Sequence, residues 1–583
     1  MTAPPIRPRL KPRWVFPPEP DPTAVEALAA ELHLPTTVCR LLLVRGYSAV
    51  EPAKHFLRPR LERLHSPHGL PDAAVAVERL VRAARDAETV LIHGDYDVDG
   101  ICATTLLTRS LRYFGARPVP FIPRRLEDGY DLSEAGVRAA REAGAKLVVT
   151  CDCGTSALKP IQALCESGVD VIVTDHHLPG GPLPECLAVL NPKRHGSEYP
   201  DKDLAAVGVA FKLMLALAEK LGANANFVYN MLDLVALATI ADVAPLRGEN
   251  RIFAKYGLKL MAETPHVGLR ALMRASGMDG KPLTAGRVGF ILAPRLNAAG
   301  RIGHAMQGVE LLMSDSEPQA NRIARELEEM NRKRQEIDRA TLEAARRRVD
   351  ALDLDNTFGI VLAEQGWHPG VIGIVASRIV EETGRPTIMI ALDGDQGKGS
   401  GRAPSPFDLH AGLTECRDLL IRYGGHRAAA GVTIEASRVD AFAERFNEVA
   451  RATLRREDLQ PELRIDAEIS IDQVTDDLEG MLRHFEPFGV GNPSPVFVSR
   501  GARIATPPRV VGSDGLKIRL AGSPHDRDAL GWGMGDLAPE LSPGMLVDLA
   551  YRVERDTYQG ESRLQLRIAD IRMAGTAPAA DSR

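Results

Sequence analysis

Short apolar runs alternate with amphipathic stretches between residues 89 and 177. The amphipathic stretches, such as LSEAGVRAAREAG, have the spacing of helices. The apolar runs are short, are rich in β-branched residues and read as buried strands: TVLIHG (89–94), RPVPFIP (117–123), AKLVVTCD (145–152) and VDVIVTDHH (169–177). Alternating strands and helices predict an α/β fold, here a doubly wound parallel sheet.

Beyond this region the pattern changes several times. Residues 24–86 and 204–313 favour helices, and 317–352 is almost free of helix breakers, so it predicts one long helix of roughly 50 Å. That helix is either a solvated surface helix or a connector between lobes. A second α/β pattern and then short strands with Gly/Pro turns follow, which predict a small β-barrel. We therefore predict a multidomain α/β chain: a mostly helical segment (1–86), a catalytic α/β lobe (87–313), a connector helix (314–353), a second, smaller α/β lobe (354–456), an OB-like barrel (457–575) and a tail (576–583).

Composition narrows the class of protein. The chain has 583 residues, 44% of them hydrophobic and 26% charged, which is ordinary for a globular protein with several cores. No apolar run approaches the roughly 20 residues that cross a bilayer. The seven cysteines are scattered, without a CxxC pair, which favours a reducing cytoplasm over disulfides or zinc. The net charge of −5 means that any binding of nucleic acid must use local basic surfaces.

Alternating aspartates follow the first strand, in HGDYDVDG. Asp95, Asp97, Asp99 and a glycine resemble the opening of an EF-hand calcium loop. That loop needs Glu at its twelfth position, where this chain has Leu106, and it follows a helix rather than a strand. An imidazole and carboxylates at a strand end instead suit a transition metal such as manganese.

Further aspartates and histidines occur at later strand ends: Asp152, the Asp175-His176-His177 triplet, and Asp242 in an apolar helical run. Each has a structural alternative, because a strand-end Asp is often a helix cap and a His pair is more often surface or core. Ligand sites of open α/β sheets lie at the carboxyl ends of the strands, so these residues should converge on one edge. Their number is sufficient for two metal ions.

Several motifs carry a family resemblance. HGDYDVDG, CDCG, TDHH and IADVAPL resemble the four motifs of the DHH phosphoesterase superfamily, and GWHPGVIGIVASRI, GSGR and GGHRAAAG resemble its associated C-terminal domain. Together with IPRRLEDGYDLS, APRLNAAGRIG and the terminal barrel, the set is similar to the bacterial single-strand-specific 5′-to-3′ DNA exonucleases of that superfamily. The resemblance covers roughly residues 45–575.

The resemblance implies a centre of two Mn²⁺ or Mg²⁺ ions. His93, Asp97 and Asp152 would bind one ion, and Asp99, Asp152, His176 and Asp242 the other, with Asp152 as the bridge. Asp97 and Asp99 are two residues apart and can point to one side of an extended turn. The remaining residues are expected to serve catalysis, Asp95 and Asp175 by orienting ligands and His177 by hydrogen bonding the phosphate.

The resemblance also implies residues that bind DNA. Arg125, at the end of the second strand, and Ser400 with Arg402, in a Gly-rich turn, would hold a 5′-terminal phosphate. His368, Gly425 and His426 would line the same lobe, and Arg295, Asn297 and Arg301 would grip the strand. In the barrel, the candidates for base-stacking platforms are Phe485, Phe488, Phe497 and Trp532. For each of the four, a place in the buried core is an equally good interpretation.

These features imply an exonuclease that removes 5′-mononucleotides from single-stranded DNA in recombination and repair. The implied partners are single-stranded DNA, a single-strand-binding protein and a helicase, with no membrane, and we expect a cytoplasmic monomer. One alternative is a phosphodiesterase for cyclic dinucleotides or short oligonucleotides, although such chains usually lack the barrel. Another is a non-catalytic strand-binding scaffold, although such proteins lose metal ligands that this chain retains.

Overall fold

A computed structural model describes residues 10–125, 127–129, 131–556 and 562–575. Within it the chain forms two compact units. One, the metal-site unit, comprises His55–Gln335 with the short segment Phe485–Pro493. The other, the C-terminal unit, contains the described residues up to Lys54, together with Glu336–His484 and the described residues from Ser494 onward.

A five-stranded parallel sheet forms the centre of the metal-site unit. Its strand order is Arg117–Phe121, Thr89–Gly94, Leu147–Cys151, Asp170–Thr174 and Ala188–Leu190. Alternate residues of one strand enter different cores: Val90 and Ile92 pack in one cluster and Leu91 in another. Both faces of the sheet are therefore buried under helices, which confirms the doubly wound prediction. The fifth strand, Ala188–Leu190, was not predicted.

Helices cover both faces of this sheet and continue beyond it. The helix Leu232–Ala241 is apolar around its whole circumference and is almost completely buried, as its sequence LDLVALATIA requires. A π-helical turn, Val288–Leu292, leads into Ala293–Ile302. The other helices of the unit are Ala73–Arg85, Val98–Tyr113, Glu134–Glu142, Leu158–Glu166, Ala206–Lys220, Asn226–Tyr229, Gly248–Ala262, Val267–Ala275, Ala285–Arg287 and Met306–Met313.

The segment Phe485–Pro493 packs on the loop after Leu232–Ala241. The buried guanidinium of Arg251 donates to the carbonyl oxygens of Phe485 and Glu486, each at 2.9 Å. Leu246 N–H donates to Val490 O at 2.7 Å. A methyl group at Gly491 would lie 2.9 Å from Pro245 Cβ, so this approach requires glycine.

The predicted long helix is a single helix, Glu317–Asp350, of 34 residues. It passes through the point between Gln335 and Glu336 at which the two units divide.

A second five-stranded sheet lies in the C-terminal unit. Its order is Arg422–Gly425, Ala429–Glu435, Gln396–Arg402, Thr387–Asp393 and Ile360–Gln365, with only the last two strands parallel. Its helices are Ile372–Thr383, Leu409–Thr414 and Val439–Thr453. This arrangement confirms a second, smaller α/β lobe.

Ser400 and Arg402 were predicted in a Gly-rich turn, and that prediction is wrong. Both lie on the central strand Gln396–Arg402, which pairs on both sides. The glycines are needed for packing: a methyl group at Gly399 would lie 2.4 Å from Val432 Cγ2, and one at Gly397 would lie 2.5 Å from Ile390 Cγ2. Ser400 and Arg402 alternate with these glycines and point to the opposite face.

The C-terminal strands form a mixed seven-stranded sheet. Ala505 N–H donates to Arg519 O and Ala521 N–H to Arg503 O, at 2.8 and 2.9 Å, which joins two strands that are not neighbours in the sheet order. The sheet therefore curls onto itself, as an OB-like barrel requires. The strand order is Ala467–Glu468, Phe497–Arg503, Leu546–Asp556, Arg563–Met573, Arg527–Gly531, Gly515–Leu520 and Arg509–Val511.

The N-terminal segment contains the helices Pro22–Leu32, Thr36–Val44 and Val50–Leu57 and one unpredicted strand, Arg13–Val15. That strand pairs in parallel with Glu462–Arg464, and Trp14 Nε1 donates to Asp570 Oδ2 at 2.7 Å. Among the described residues, no single helix has the length and apolar character to cross a membrane, whereas the bent pair Pro22–Leu32 and Thr36–Val44 meets that test by length and composition only.

Candidate active site

The first acidic turn is the start of a helix. Asp97 is the N-cap of Val98–Tyr113, and its Oδ1 accepts from Asp99 N at 2.9 Å and Gly100 N at 3.2 Å. The prediction that Asp97 and Asp99 lie on an extended turn is therefore wrong. The first N–H groups of a helix have no partner within the helix, and an aspartate side chain placed before them accepts their hydrogen bonds as an N-cap. Gly100 is required here, since a methyl group would lie 2.3 Å from Asp95 O.

Asp99 lies in the first turn of that helix and is buried. Its two oxygens accept from Ala206 N and Val207 N at 2.7 and 2.9 Å, the first N–H groups of the helix Ala206–Lys220. Burial, and then the charge of Asp97, raise the pKa of Asp99 to about 7. The carboxylate is thus held rigidly in a place where its negative charge is costly.

Asp152 follows the strand Leu147–Cys151 in a left-handed conformation, with φ 64°. Such a conformation is unusual for a residue with a side chain and is often found at functional sites. Asp131 Oδ1 accepts from Gly154 N at 2.7 Å and fixes the turn. Burial, followed by the charges of Asp97 and Asp99, raises the pKa of Asp152 well above its usual range.

Asp175 orients the histidine pair. Its Oδ1 accepts from His176 N at 2.7 Å and from the His177 Nδ1 at 2.8 Å, and its Oδ2 accepts from Thr155 N at 3.1 Å. Burial alone would raise the pKa of Asp175, but the bonds and charge of His177 hold it below its usual range. The carboxylate in turn outweighs the burial of His177 and raises the pKa of that imidazole to about 9.

Three groups of side chains each bring their ligand atoms within 4.8 Å of one another. They share Asp152 and His176, so they form one continuous cluster. The groups are Asp95/Asp97/Asp152, Asp152/His176/His177 and Asp99/His176/Asp242. The residues predicted from four separate motifs are therefore brought together, with one exception.

The exception is His93, which belongs to no such group among the described residues. Its ring is buried, with Nδ1 3.5 Å from Cys153 Sγ, and a methyl group at Gly136 would lie 2.9 Å from its Nε2. Asp95, predicted only to orient ligands, takes the place beside Asp97 and Asp152.

Buried atoms without partners show that the cluster fits a cation. Within the described part of the chain, four buried ligand atoms lack a hydrogen-bond partner: His93 Nε2, Asp95 Oδ1, Asp152 Oδ1 and His176 Nε2. Asp152 Oδ1 and His176 Nε2 nevertheless lie 3.2 Å apart. Burial also raises the pKa of Asp95 and of Asp242. Burial lowers the pKa of His93 and of His176 and keeps these two imidazoles neutral. Carboxylates and neutral imidazoles match the preferences of Mn²⁺, and the carboxylates those of Mg²⁺.

The predicted DNA-binding residues of this unit have local partners. The Arg125 guanidinium lies 4.8 Å from the centre of the Tyr96 ring. Arg295 pairs with Glu328, and Asn297 Oδ1 accepts from Val98 N at 3.1 Å. Arg301 is half-buried on the same helix as these two.

The other predicted DNA-binding residues lie together in the C-terminal unit. Arg402 Nη1 donates to Ser400 Oγ at 3.1 Å, and a methyl group at Gly373, in the first turn of Ile372–Thr383, would lie 2.8 Å from that Oγ. Arg402 pairs with Ala429 on the neighbouring strand, and the next residue of that strand, Ala430, pairs with Gly425 on the edge strand. Gly425 has φ 141°. His426 follows Gly425, and His368 precedes the same helix and accepts from Gly370 N at its Nδ1.

Of the four aromatic residues predicted as stacking platforms of the barrel, Phe485 and Phe488 lie instead in the segment Phe485–Pro493 of the metal-site unit, so their placement in the barrel is wrong. The four residues differ in exposure. Phe485 and Phe497 are buried, and Phe488 is half-buried. Trp532 is exposed, with the Arg567 guanidinium 5.8 Å from its ring centre. Only Trp532 of these four therefore presents the face of a ring beside a cation.

Two residues that support the histidine pair, Asn191 and Thr155, were missed by sequence reasoning. Asn191 Nδ2 donates to His177 O at 2.8 Å and to Thr155 Oγ1 at 3.0 Å. Asn191 follows the fifth strand directly, and the apolar run LAVL before it is a signal from which that strand could have been predicted.

Comparison with known proteins places this arrangement in a family. The model of the DHH family, N-terminal domain, matches residues 89–239, the DHHA1 domain matches 356–452, and the RecJ OB domain matches 465–570. The single-stranded-DNA-specific exonuclease RecJ of Escherichia coli (strain K12) is 35% identical, over 92% of this chain and 96% of the relative. The chain belongs to the RecJ family.

Other RecJ proteins are similar over the same length. RecJ of Bacillus subtilis (strain 168) is 36% identical and covers 96% of this chain, which spans 71% of that protein. The crystal structure of RecJ in complex with Mn²⁺ from Thermus thermophilus superposes with a TM-score of 0.83 at 34% identity, over 96% of this chain and 79% of that one. The Mg²⁺ complex from the same organism has a TM-score of 0.78. The resemblance to the DHH superfamily and the multidomain fold are thus confirmed.

Proposed function

We propose that the protein is a single-strand-specific 5′-to-3′ DNA exonuclease that releases 5′-mononucleotides in recombination and repair. The observation that carries the proposal is the cluster around Asp152, in which buried carboxylates and imidazoles converge with ligand atoms that lack partners. Membership of a family whose relatives are single-stranded-DNA-specific exonucleases supports the substrate.

We propose two divalent ions, with Asp152 as the shared ligand. Asp95, Asp97 and Asp152 would hold one, and Asp99, Asp152, His176 and Asp242 the other; the buried Nε2 of His93 remains a candidate for the first. Two such ions supply a nucleophile at neutral pH and stabilise both oxygens of an in-line phosphoryl displacement.

The protein side chains contribute orientation and a proton donor. Asp175 fixes the His177 ring through Nδ1, so the imidazole keeps its proton at a defined place. We propose that His177 hydrogen-bonds a phosphate oxygen as charge develops on it. Arg125 and Arg301 are proposed to contact the strand from the metal-site unit.

The direction of digestion needs a site that recognises the strand end, because metal ions alone hydrolyse any phosphodiester presented to them. We propose that Ser400, Arg402 and the first turn of Ile372–Thr383 bind the 5′-phosphate. A hydroxyl, a guanidinium and helix N–H groups at one place are donors that match a phosphate. His368, Gly425 and His426 are proposed to line this pocket.

The test is nuclease activity on end-labelled DNA. With Mn²⁺, a 3′-labelled single strand should shorten progressively, and a 5′-labelled strand should release labelled mononucleotide at once. The same strand in a blunt duplex should react slowly. Rapid cleavage of dinucleotides without cleavage of long strands would instead identify a short-oligonucleotide phosphodiesterase.

We further propose that the enzyme is a cytoplasmic monomer that works with a helicase and a single-strand-binding protein. All seven cysteines are free, which supports a reducing compartment. A helicase and a strand-binding protein would supply the unpaired DNA that the proposed substrate requires.

A further inference from the structure

Three apolar side chains of the metal-site unit stand out by their exposure. Phe290 is 86% exposed, Leu178 77% and Val243 60%, and they are the most exposed large apolar side chains among the described residues. Single exposed apolar residues are common on proteins, but exposed apolar residues that lie around one site mark a binding surface.

Two of the three directly follow residues of the metal cluster, and the third lies in a turn that packs on the helix leading to one of those residues. Leu178 directly follows His177, and Val243 directly follows Asp242. Phe290 lies in the π-helical turn Val288–Leu292, which packs on the helix Leu232–Ala241: a methyl group at Gly289 would lie 3.5 Å from Ile240 Cγ2. We call these three residues the apolar rim.

Val243 is also held in a costly conformation. It has φ 62° and follows the C-cap of Leu232–Ala241, a position that favours glycine. A β-branched residue is rarely found in the left-handed region, and strain of this kind is concentrated at functional sites. Since the Val243 side chain is exposed, packing in a core does not account for it.

We propose that the apolar rim receives the unpaired nucleobases on either side of the scissile phosphodiester. The inference rests on the proposed function, because a phosphodiester bound at the metal cluster must place its own bases beside the residues that follow the ligands. Every base has an apolar face, so such contacts do not depend on sequence. Bases in a duplex are paired and stacked, so the rim selects single strands.

The main test compares Phe290→Ala with the wild-type protein. Binding of a 5′-phosphorylated, fluorescent oligonucleotide with non-hydrolysable linkages at its 5′ end is measured by anisotropy in Mn²⁺, so that the metal cluster is loaded and hydrolysis does not occur. Loss of one base-stacking contact should weaken binding about 5- to 100-fold. Val75→Ala is the matched control, because Val75 is 47% exposed on the helix Ala73–Arg85 and should leave affinity unchanged.

An abasic substrate shows whether the lost contact is with a base. Abasic sites at the first two positions should weaken binding to the wild-type protein, whereas Phe290→Ala should lose little more on that substrate. Such non-additivity identifies groups that touch each other. Equal, additive losses on both substrates would overturn the proposal.

Val243→Gly separates binding from folding. Glycine removes the backbone strain, so the thermal midpoint should stay the same or rise, while affinity for the oligonucleotide should fall severalfold. Unchanged affinity for the oligonucleotide in both this variant and Phe290→Ala would overturn the proposed role of the apolar rim.

A change in oligomeric state, measured by light scattering, with DNA affinity unchanged would assign the surface to protein association instead. If the wild-type protein shows no Mn²⁺-dependent cleavage of single strands, the proposed function itself fails, which is a separate result.

Discussion

Asp152 concentrates the constraints of the cluster in one side chain. It is buried, has a left-handed backbone and takes part in two of the three groups of ligand atoms. An ionised carboxylate in such surroundings destabilises the fold unless a cation is bound.

Asp152→Asn should therefore have opposite effects with and without metal. The thermal midpoint of the protein in EDTA should rise, because a costly charge is removed and Asn tolerates the left-handed conformation. The stabilisation by Mn²⁺, about 2.7 kcal/mol at one hundred times the Kd for the wild type, should be largely lost, as should hydrolysis.

Differential scanning fluorimetry across a Mn²⁺ titration measures both effects. Asp477→Asn, at an exposed aspartate of the C-terminal unit, is the control and should behave as the wild type. Full Mn²⁺ stabilisation and normal turnover in Asp152→Asn would contradict the shared ligand.

Arg402→Ala tests the 5′-phosphate pocket. Loss of a guanidinium–phosphate contact should cost about 1.5–3 kcal/mol, or roughly ten- to a hundredfold in the preference for 5′-phosphorylated over 5′-hydroxyl substrate. Lys398→Ala removes a positive charge from the same face of the same strand and should keep the preference. The measurement is the ratio of kcat/KM for the two substrates. A full preference in Arg402→Ala would place the pocket elsewhere.

Most residues of the cluster were predictable at the residue scale because most of them follow a strand, and parallel strands bring their carboxyl ends to one edge. That Asp95, rather than His93, lies in one group with Asp97 and Asp152 was not predictable in this way. Two features decide which side chain of HGDYD lies beside Asp152: the N-cap geometry of Asp97 and the close packing of Gly136 on the His93 ring. The spacing of residues in the sequence reveals neither feature.

At the scale of elements, the helix Ala293–Ile302 supports the first acidic turn. Asn297 bonds Val98 N, and a methyl group at Gly300 would lie 2.1 Å from Tyr96 O. The helix thus packs directly on the backbone between Asp95 and Asp99. Its glycine permits this approach.

Asn297→Ala should consequently weaken metal binding more than DNA binding. The Mn²⁺ concentration for half-maximal activity, and the Kd for Mn²⁺ by calorimetry without DNA, should rise about 10- to 100-fold, as for other residues that orient ligands. Asn447→Ala is the control, since Asn447 accepts from Phe358 N and Gly359 N far along the chain. A raised KM for DNA with unchanged Mn²⁺ affinity would instead support the predicted grip on the strand.

The strand Gln396–Arg402 shows why some elements escape prediction. Glycine is depleted in strands, so QGKGSGR favours a turn on propensity. Here the side chains of Ile390 and Val432, on the two neighbouring strands, pack directly on the glycines of this strand. This tertiary packing outweighs the local preference of the glycines for a turn. The long helix Glu317–Asp350, in contrast, was predictable because its uninterrupted helix-forming composition requires no information from other segments.

For the whole molecule, we predict discrimination by strandedness. A blunt duplex should be degraded much more slowly than a duplex with a 5′ overhang, because the proposed contacts of the exposed Phe290, Leu178 and Val243 would be made with unpaired bases. Initial rates with one labelled strand, free or annealed to different complements, provide the comparison at equal concentration. Equal rates on blunt and overhanging ends would contradict it.

The segment Phe485–Pro493 also sets an order in time during synthesis. Arg251 and Phe485, whose carbonyl it binds, are separated by 234 residues. At roughly 5–20 residues per second, the ribosome makes that acceptor roughly 10 to 50 s after the arginine. The metal-site unit therefore completes its buried contacts only after the second α/β lobe has been synthesised, and a nascent chain does not contain the finished nuclease until late in translation.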